Sequence, residues 1–365
     1  MPIRLMVVDD SIVARSIFQT MLAPFADFHI VATASTADQA LARLAETPVD
    51  IVLLDLAMPG MDGLTALPEI IRRGAGARVL VVSASAGEGA DACVRALTLG
   101  AADTLEKPRA GAFGNKFSIE LVEKLRRIAC DGVLSRRAEA REREARAGAA
   151  AVLALPAEPM RPGVAEPIDC IAIGASTGGL HALSAFFNAL PAGCDAPILI
   201  TQHLPPSFMG YFAAQMTDIA GRPAMVATEG AMLRPGQILV APGDAHMCLR
   251  RVGASVRVVF DRRPSSSGCM PSVDPMFAAV AEIFGARAFA VVLSGMGRDG
   301  LIGARQIVDV GGEVAVQDRA TSVVWGMPGS VATAGLASTI ATPAGCAARI
   351  ARRAGTTIMR GAAWR

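Results

Sequence analysis

The feature that most constrains the fold is an alternation between short apolar runs and amphipathic segments that begins at the third residue. This pattern is typical of a parallel α/β sheet, because parallel strands need crossover connections that are usually helices. In the N-terminal part we predict strands at Leu5–Val8, Phe28–Thr33, Ile51–Leu54, Val79–Val82 and Asp103–Leu105, and a last helix at about Ile119–Cys130. The expected fold is a doubly wound sheet whose ligands bind at the carboxyl ends of its strands.

A change in composition then divides the chain. Ser135–Arg146 alternates Arg and Glu, and Ala147–Pro167 is rich in Ala, Pro and Gly, so this stretch cannot build a core of its own. We predict a first domain at 1–131, a linker at 132–166 and a second domain at 167–357, again α/β with a mostly parallel sheet. Its predicted strands lie near Ile168–Ile173, Pro197–Thr201, Gln237–Val240, Val256–Phe260, Ala288–Leu293 and Gly312–Val316.

Charge, hydropathy and cysteine usage exclude several classes of protein. A net charge of +2 and an aromatic content of 4% argue against nucleic-acid binding. No apolar stretch approaches the ~20 residues that span a bilayer, and the strand-like N-terminus is not a signal peptide, so we expect no membrane insertion. The seven cysteines are scattered without a C-x-x-C pair, which predicts reduced, buried thiols and a cytoplasmic protein.

Acidic side chains follow two strands of the first predicted sheet. Asp9 and Asp10 come directly after the first strand and Asp55 after the third, so the three carboxylates should meet at one edge. Crowded carboxylates favour a divalent cation, and an all-oxygen site suits Mg²⁺. Ser83 and Lys107 follow the fourth and fifth strands and could bind a phosphoryl group. The set predicts phosphoryl transfer onto Asp55.

At these residues the chain resembles response-regulator receiver domains, which have a flavodoxin-like fold with a five-stranded parallel sheet. The matching segments are Val7–Ser11, Asp55–Gly63, Val82–Ser85 and Glu106–Pro108. The resemblance implies that Asp55 accepts the phosphoryl group and that Asp10, Asp55 and the Ala57 carbonyl bind Mg²⁺. It also implies a chemotaxis histidine kinase as phosphodonor. Thr104 stands where these domains usually have an aromatic residue, so the route by which the signal leaves the site stays open.

A serine turn opens the second domain. Gly174–Gly178 fits G-x-S-x-G, which presents Ser176 at the head of a helix, where unpaired N–H groups favour a developing oxyanion. His203 and Asp299 follow two other predicted strands and could supply a base and its orienting carboxylate. The chain order Ser–His–Asp differs from the Ser–Asp–His order of α/β-hydrolases, so that superfamily is excluded.

Two other histidines bear on the choice of base. His246 is a second candidate, whereas His181 is expected to pack or face solvent on the helix after the serine turn. Spacing alone gives His203 only a slight preference.

From Ile168 to about Ala337 the chain resembles the catalytic domain of chemotaxis protein-glutamate methylesterases, the CheB family. The matching segments are Gly174–Gly179, Gln202–Phe208, Glu229–Met247, Pro271–Phe277, Ser294–Gly300 and Gln317–Ser330. The resemblance implies a carboxylic-ester hydrolase that cleaves glutamate methyl esters on chemoreceptors to glutamate and methanol, and often deamidates receptor glutamines. No cofactor is expected for this chemistry.

The resemblance also implies a role for each site residue. Ser176 would be the nucleophile, His203 the general base and Asp299 the orienting acid. The Met296 N–H would donate to the oxyanion, and Thr177 would line the site. The family further implies that the unphosphorylated receiver covers the catalytic cleft and that phosphorylation of Asp55 uncovers it.

Three other functions remain as alternatives. They are a binding module without activity, a hydrolase that acts on another methylated or amidated protein, and a transcription factor. The joint presence of a serine, a histidine and an aspartate disfavours the first, and the lack of a helix-turn-helix pattern or basic patch disfavours the third. The sequence does not reveal which receptors are substrates.

Overall fold

The computed structural model describes residues 2–84, 88–108, 114–115, 117–129 and 167–354. The chain divides into two compact units, Met1–Leu155 and Pro156–Arg365. The predicted linker at 132–166 lies outside the described residues, as do Ser85, Cys130 and the last residues of the predicted second domain. The three domain boundaries therefore stay predictions.

The first unit is built on a five-stranded sheet in which all neighbouring strands are parallel, in the order β2-β1-β3-β4-β5. The strands are β1 Ile3–Val8, β2 Phe28–Ala34, β3 Ile51–Leu54, β4 Arg78–Ala84 and β5 Asp103–Lys107. The helices are α1 Ile12–Leu22, α2 Ala37–Glu46, α3 Gly63–Arg73, α4 Glu88–Thr98 and α5, whose described helical part includes 117–129. The predicted flavodoxin-like fold is confirmed.

The strand order reverses between β1 and β3, and ligands of open parallel sheets bind at such a switch point. Asp9 directly follows β1, and Asp55 directly follows β3. Four of the five strands are longer than predicted, and for β4 and β5 this changes the position of a site residue. Ser83 lies within β4 and Lys107 is the last residue of β5, rather than after them. The prediction ended both strands too early because Ser and Lys are polar and do not extend the apolar run. Their backbones nevertheless pair across the sheet.

The second unit contains a seven-stranded sheet in the order β14-β13-β12-β6-β7-β9-β8, with parallel pairing throughout, and a separate antiparallel pair, β10 and β11. The strands are β6 Cys170–Ala175, β7 Ile198–Gln202, β8 Ala224–Val226, β9 Ile238–Val240, β10 His246–Val252, β11 Ser255–Asp261, β12 Ala288–Val292, β13 Glu313–Gln317 and β14 Thr339–Ala341. The helices are α6 Gly179–Ala189, α7 Pro206–Ala220, α8 Val273–Phe284, α9 Leu301–Asp309, α10 Gly326–Thr333 and α11 Pro343–Ala354, with a 3₁₀ turn at Gly285–Arg287.

Three of these strands, β8, β10 and β14, were not predicted. β8 and β14 are three-residue strands at the two edges of the sheet, and none of their residues is fully buried. Short edge strands leave little apolar signal in a sequence. β10 pairs with β11 over its full length. Arg250 and Arg251 lie in its second half, so the sequence of this half is not typical of a strand.

The site of the second unit lies at its own switch point, where β6 is flanked by β7 on one side and β12 on the other. All residues of these three strands are buried, so their ends are fixed by the core. The six cysteines of the described residues form no disulfide with one another, and four of them are buried. Cys248 and Cys269 are half-buried, contrary to the prediction of buried thiols. Within the described ranges, no helix has the length and hydropathy needed to cross a bilayer.

Candidate functional site

Ser176 lies in the turn that joins β6 to α6. Its backbone N–H donates to the Ser294 carbonyl at 3.0 Å, beyond the end of β12. The side chain is half-buried. Since β6 is the central strand, this turn presents the serine between the loops that follow β7 and β12.

Two glycines permit the close approach of backbone around the serine. Gly178 has φ +76°, and a Cβ atom there would lie 2.4 Å from Val323 Cβ and 2.9 Å from Ser294 Oγ. At Gly295 a Cβ atom would lie 2.9 Å from Ser176 Cβ. Side chains at either position would therefore displace the serine turn or its neighbours.

His203 directly follows β7, the neighbour of β6. Ala175 pairs with Gln202 at the last register position, and the His203 N–H donates to the Ala175 carbonyl at 3.2 Å. The Gln202 side-chain amide donates to the Ser176 carbonyl at 2.9 Å. These bonds place the backbones of His203 and Ser176 side by side.

Asp299, in the loop between β12 and α9, contacts the His203 ring. His203 Nε2 and Asp299 Oδ2 are 2.8 Å apart. The carboxylate is 1% exposed and also accepts from Ser272 Oγ at 2.7 Å and from the Val273 N–H at 2.8 Å. Ser272 and Val273 begin α8, so Asp299 satisfies donors that a helix N-terminus otherwise leaves unpaired. A rigid carboxylate at this distance fixes the ring orientation and tautomer of the histidine.

The contact between Asp299 and His203 perturbs both groups. Burial raises the pKa of Asp299, but the bonds to His203, Ser272 and Val273 outweigh it and lower the pKa to about 2. Burial lowers the pKa of His203, and its contacts with Asp299 and Cys269 outweigh burial and raise it to about 9. The imidazole is therefore a stronger base than a free histidine, and it lies beside a carboxylate that is ionised at neutral pH.

Two residues of this site were not predicted from the sequence. Cys269 lies within 4.8 Å of the ligand atoms of His203 and Asp299, and its contact with His203 lowers the pKa of the thiol. Asp274 is buried next to Asp299 and accepts from the Gly303 N–H at 2.8 Å. In the sequence, Asp274 stands out only as part of the family motif Pro271–Phe277, and a lone cysteine such as Cys269 gives no signal by spacing.

The other candidate histidine, His246, is buried and contacts backbone groups through both ring nitrogens. His246 is 1% exposed. Its Nδ1 accepts from the Ser272 N–H at 2.9 Å, and its Nε2 is 2.9 Å from the Arg263 carbonyl. Both ring nitrogens are thus bonded to backbone, which disfavours His246 as a base for Ser176. His181 lies on α6 with an exposed side chain.

Thr177 and Met296 border the serine turn. The Thr177 carbonyl accepts from Ser294 Oγ at 2.8 Å. Met296 is 40% exposed and lines a cavity of about 510 Å³ together with Cys269, Arg298 and Asp299. The cavity gives solvent and solutes access to the Asp299 side of the site.

In the first unit, the predicted carboxylates do meet at the switch point. One oxygen each of Asp9, Asp10 and Asp55 lie within 4.8 Å of one another. Lys107 Nζ is 2.5 Å from Asp55 Oδ2 and 2.7 Å from Asp9 Oδ2. Burial raises the pKa of Asp55 despite the opposing effect of Lys107. Two buried acids and one exposed acid of this kind fit a hard divalent cation such as Mg²⁺.

The surroundings of these carboxylates add detail that the sequence did not predict. The Ala57 N–H donates to Asp55 Oδ1 at 3.2 Å, and Arg15 donates to the backbone carbonyls of Asp9 and Asp10. Ser83 is buried and interacts with the Cys93 thiol. Thr104 is half-buried in β5 and pairs with Val81.

Comparison with known proteins finds one family match in each unit. Residues 5–112 match the response regulator receiver domain family, and residues 171–350 match the CheB methylesterase family. A protein-glutamate methylesterase/protein-glutamine glutaminase of Paramagnetospirillum magneticum is 39% identical, over 93% of this chain and 92% of its own length. This chain belongs to the CheB methylesterase family. Protein-glutamate methylesterase/protein-glutamine glutaminase 2 of Caulobacter vibrioides is 41% identical, over 92% of this chain and 94% of its own length.

Among solved structures, the CheB methylesterase catalytic domain of Thermotoga maritima is 32% identical, with a TM-score of 0.49, over 51% of this chain and 99% of that chain. The match over nearly the whole length of the curated CheB relatives confirms the predicted family and the predicted pairing of a receiver with a methylesterase domain.

Proposed function

We propose that this chain is a phosphorylation-controlled protein-glutamate methylesterase. It hydrolyses glutamate methyl esters on methyl-accepting chemoreceptors to glutamate and methanol, and it deamidates receptor glutamines. The observation that carries the proposal is the 2.8 Å contact between His203 Nε2 and Asp299 Oδ2, beside the turn that presents Ser176. The names of the curated relatives, which combine both activities, support the substrate class.

In the proposed reaction, His203 removes the proton of the Ser176 hydroxyl, whose oxygen attacks the ester carbonyl carbon. The Met296 N–H donates to the oxyanion that forms, and Thr177 lines the site. Collapse breaks the carbon–methoxy bond, and the imidazolium returns its proton so that methanol leaves. Water, deprotonated by His203, then releases glutamate from Ser176. The same steps with a glutamine release ammonia.

Asp299 has a positioning role in this scheme. It accepts from His203, and its charge stabilises the imidazolium that forms in each step. The bonds from Ser272 and Val273 keep the carboxylate in place and ionised. This arrangement needs no cofactor for ester hydrolysis.

The first unit would control the rate. We propose that Asp55 accepts a phosphoryl group from a chemotaxis histidine kinase, with Lys107 pairing with the phosphoryl oxygens and Ser83 donating to them. Mg²⁺ bound by Asp10, Asp55 and the Ala57 carbonyl would neutralise charge during this transfer. Asp9 lies within reach of the same cation. The scattered thiols fit a reducing, cytoplasmic location.

The decisive experiment measures methanol release from membranes that carry methylated chemoreceptors. Ser176→Ala should lower the rate by about 10³-fold or more, whereas Ser184→Ala, on the helix that follows the serine turn, serves as the matched control and should keep it. An acyl phosphate should raise the wild-type rate, and Asp55→Asn should remove that increase. Methanol release by Ser176→Ala at the wild-type rate would refute the role of the serine. No methanol release by the wild type would refute the proposal that methylated chemoreceptors are the substrate.

A further inference from the structure

Three side chains from separate loops converge at the edge of the second sheet with different donor atoms. His203 follows β7, Cys269 lies between β11 and α8, and Asp299 follows β12. One ligand atom of each lies within 4.8 Å of the other two. Imidazole nitrogen, thiolate sulfur and carboxylate oxygen are together the donors that bind Zn²⁺ in proteins.

The spacing suits a zinc ion with only small side-chain movements. Zn–S bonds are about 2.3 Å and Zn–N and Zn–O bonds about 2.0–2.2 Å long, so neighbouring ligands of a tetrahedral site lie about 3–4 Å apart. His203 Nε2 and Asp299 Oδ2 are already 2.8 Å apart. A thiolate also selects Zn²⁺ over the hard Mg²⁺ expected at the carboxylates of the first unit.

The surroundings of the three residues support a cation. Cys269 and Asp299 line the cavity of about 510 Å³, which gives an ion a path from solvent. Asp274, buried next to Asp299, adds a second carboxylate to the same region. The exposed Arg298 also lines the cavity, and its positive charge partly offsets those of the carboxylates. Outer-shell bonds orient the ligands, because Ser272 Oγ donates to Asp299 at 2.7 Å and the Cys269 N–H donates to Ser267 Oγ at 3.3 Å.

We propose that His203, Cys269 and Asp299 form an inhibitory Zn²⁺ site. Binding releases two protons to solvent, the thiol proton of Cys269 and one imidazolium proton of His203, and it leaves the fourth position of the ion to water. The ion then binds the imidazole that the proposed reaction needs as a base. A metal-bound imidazole cannot accept the serine proton, so hydrolysis stops. The binding site stands on geometry alone, whereas the inhibition rests on the proposed function.

The binding test uses the untagged full chain, freed of metal with a chelator that is then removed. Co²⁺ reports cysteine ligation by its thiolate-to-metal absorption, and competing Zn²⁺ should abolish this signal at one equivalent. Cys269→Ser should weaken Zn²⁺ binding by at least about tenfold, since loss of even an outer-shell partner typically costs 10–100-fold. The matched control is Cys248→Ser, at the other half-buried cysteine of the described residues, which should bind like the wild type.

Equal affinity of Cys269→Ser and wild type would overturn the proposal, as would absence of cysteine ligation in the wild type. Tryptophan fluorescence during denaturation should show that Cys269→Ser is folded. Trp325 lies in the second unit, so its fluorescence reports on the unit that carries the site.

The activity test compares methanol release with and without Zn²⁺, each protein normalised to its own metal-free rate. Wild type and Cys248→Ser should lose most of their activity at a Zn²⁺ concentration that leaves the Cys269→Ser ratio near one. Equal inhibition of all three proteins would overturn the inhibitory role of the site. Cysteine ligation without methanol release from any protein would support the metal site and refute the proposed function instead.

Discussion

At the scale of single residues, Asp299 receives bonds from His203 and from the first turn of α8, and it faces a second buried acid, Asp274. Two adjacent carboxylates cannot both ionise at their ordinary pKa values. The helix N-terminus and the histidine favour the charge on Asp299. At Asp274, burial and the charge of Asp299 outweigh the bond from the Gly303 N–H and raise the pKa to about 6. Asp299 is therefore the acid of the pair that ionises first, at the lower pH.

The raised pKa of His203 predicts the pH dependence of hydrolysis. A base must be neutral to accept the serine proton, and the pKa of about 9 leaves the imidazole mostly protonated at neutral pH. In metal-free buffer, kcat/KM should rise about tenfold per pH unit below that value and level off above it. Cys269→Ala removes one contact that raises the pKa and should shift the profile to lower pH. A flat profile between pH 6 and 9 would contradict the assignment.

The contribution of Asp274 to the stability of the second unit should be smaller at neutral pH than at low pH. A group whose folded pKa, here about 6, exceeds its ordinary 3.8 favours folding at low pH and loses that contribution as pH rises from 3.8 to 6. Asp274→Asn keeps the acceptor for Gly303. At pH 8 it should raise the free energy of unfolding by about 1–3 kcal/mol, with no gain at pH 4. Denaturant titrations followed by tryptophan fluorescence measure this.

A matched control for this substitution is available on the same unit. Asp244→Asn changes an aspartate whose side chain is 59% exposed, so it should leave the unfolding free energy at pH 8 nearly unchanged. A gain of similar size in both variants would indicate a general charge effect rather than relief of the buried pair.

At the scale of secondary-structure elements, the turn between β6 and α6 is bonded to the loop after β12. Ser294 has no exposed surface, donates to the Thr177 carbonyl and accepts from the Val324 N–H. Asp299 receives the first N–H groups of α8, while Asp274 of α8 receives the Gly303 N–H of α9. In each of these two helices, N–H groups of the first turn donate to a carboxylate from a neighbouring segment. These contacts, rather than local capping residues, hold the site in place.

The left-handed glycine of the serine turn should tolerate no side chain. Gly178→Ala adds a Cβ atom 2.4 Å from Val323 Cβ at φ +76°. We expect a loss of at least about 2 kcal/mol of unfolding free energy, together with loss of methanol release. Gly210→Ala is the control: this exposed glycine lies within α7 with no atom near the added Cβ, and it should gain about 0.5–1 kcal/mol. Unchanged stability of Gly178→Ala would show that the turn adapts.

At the scale of the whole molecule, the chain combines two parallel sheets, each with its polar residues at its own switch point. The first unit offers an all-oxygen site and the second a nitrogen–sulfur–oxygen site. The two should therefore respond to different metals, Mg²⁺ for phosphorylation and Zn²⁺ for inhibition. The choice of metal ion in the assay buffer can therefore separate the effect of phosphorylation from ester hydrolysis itself.

Removal of Mg²⁺ should abolish stimulation without abolishing hydrolysis. With zinc-free protein, EDTA should reduce the ratio of methanol release with and without acyl phosphate to about one, because phosphoryl transfer to Asp55 depends on the metal. The rate without phosphodonor should remain, since the proposed hydrolysis by Ser176 uses no cation. A parallel loss of both rates in EDTA would contradict a role for Mg²⁺ in stimulation alone. As the control, restoring Mg²⁺ should restore the ratio.

The sequence by itself determined the two parallel α/β units and which residues follow their central strands. Apolar runs such as those of β3 and β6 are buried on both faces, so composition and periodicity alone reveal them. Positions directly after parallel strands share one edge, which is why Asp9, Asp55 and His203 could be predicted as site residues. The family followed from motifs in the same places.

Only the tertiary structure decided what depends on contacts between distant segments. It paired His203 with Asp299, which are separated by 96 positions, and bonded both nitrogens of His246 to backbone. It also brought Cys269 into the site. Strand length and edge strands were decided there as well, because a polar residue such as Lys107 extends a strand only when a neighbour offers backbone partners. Such contacts arise from packing across the sheet, and no local pattern in the chain encodes them.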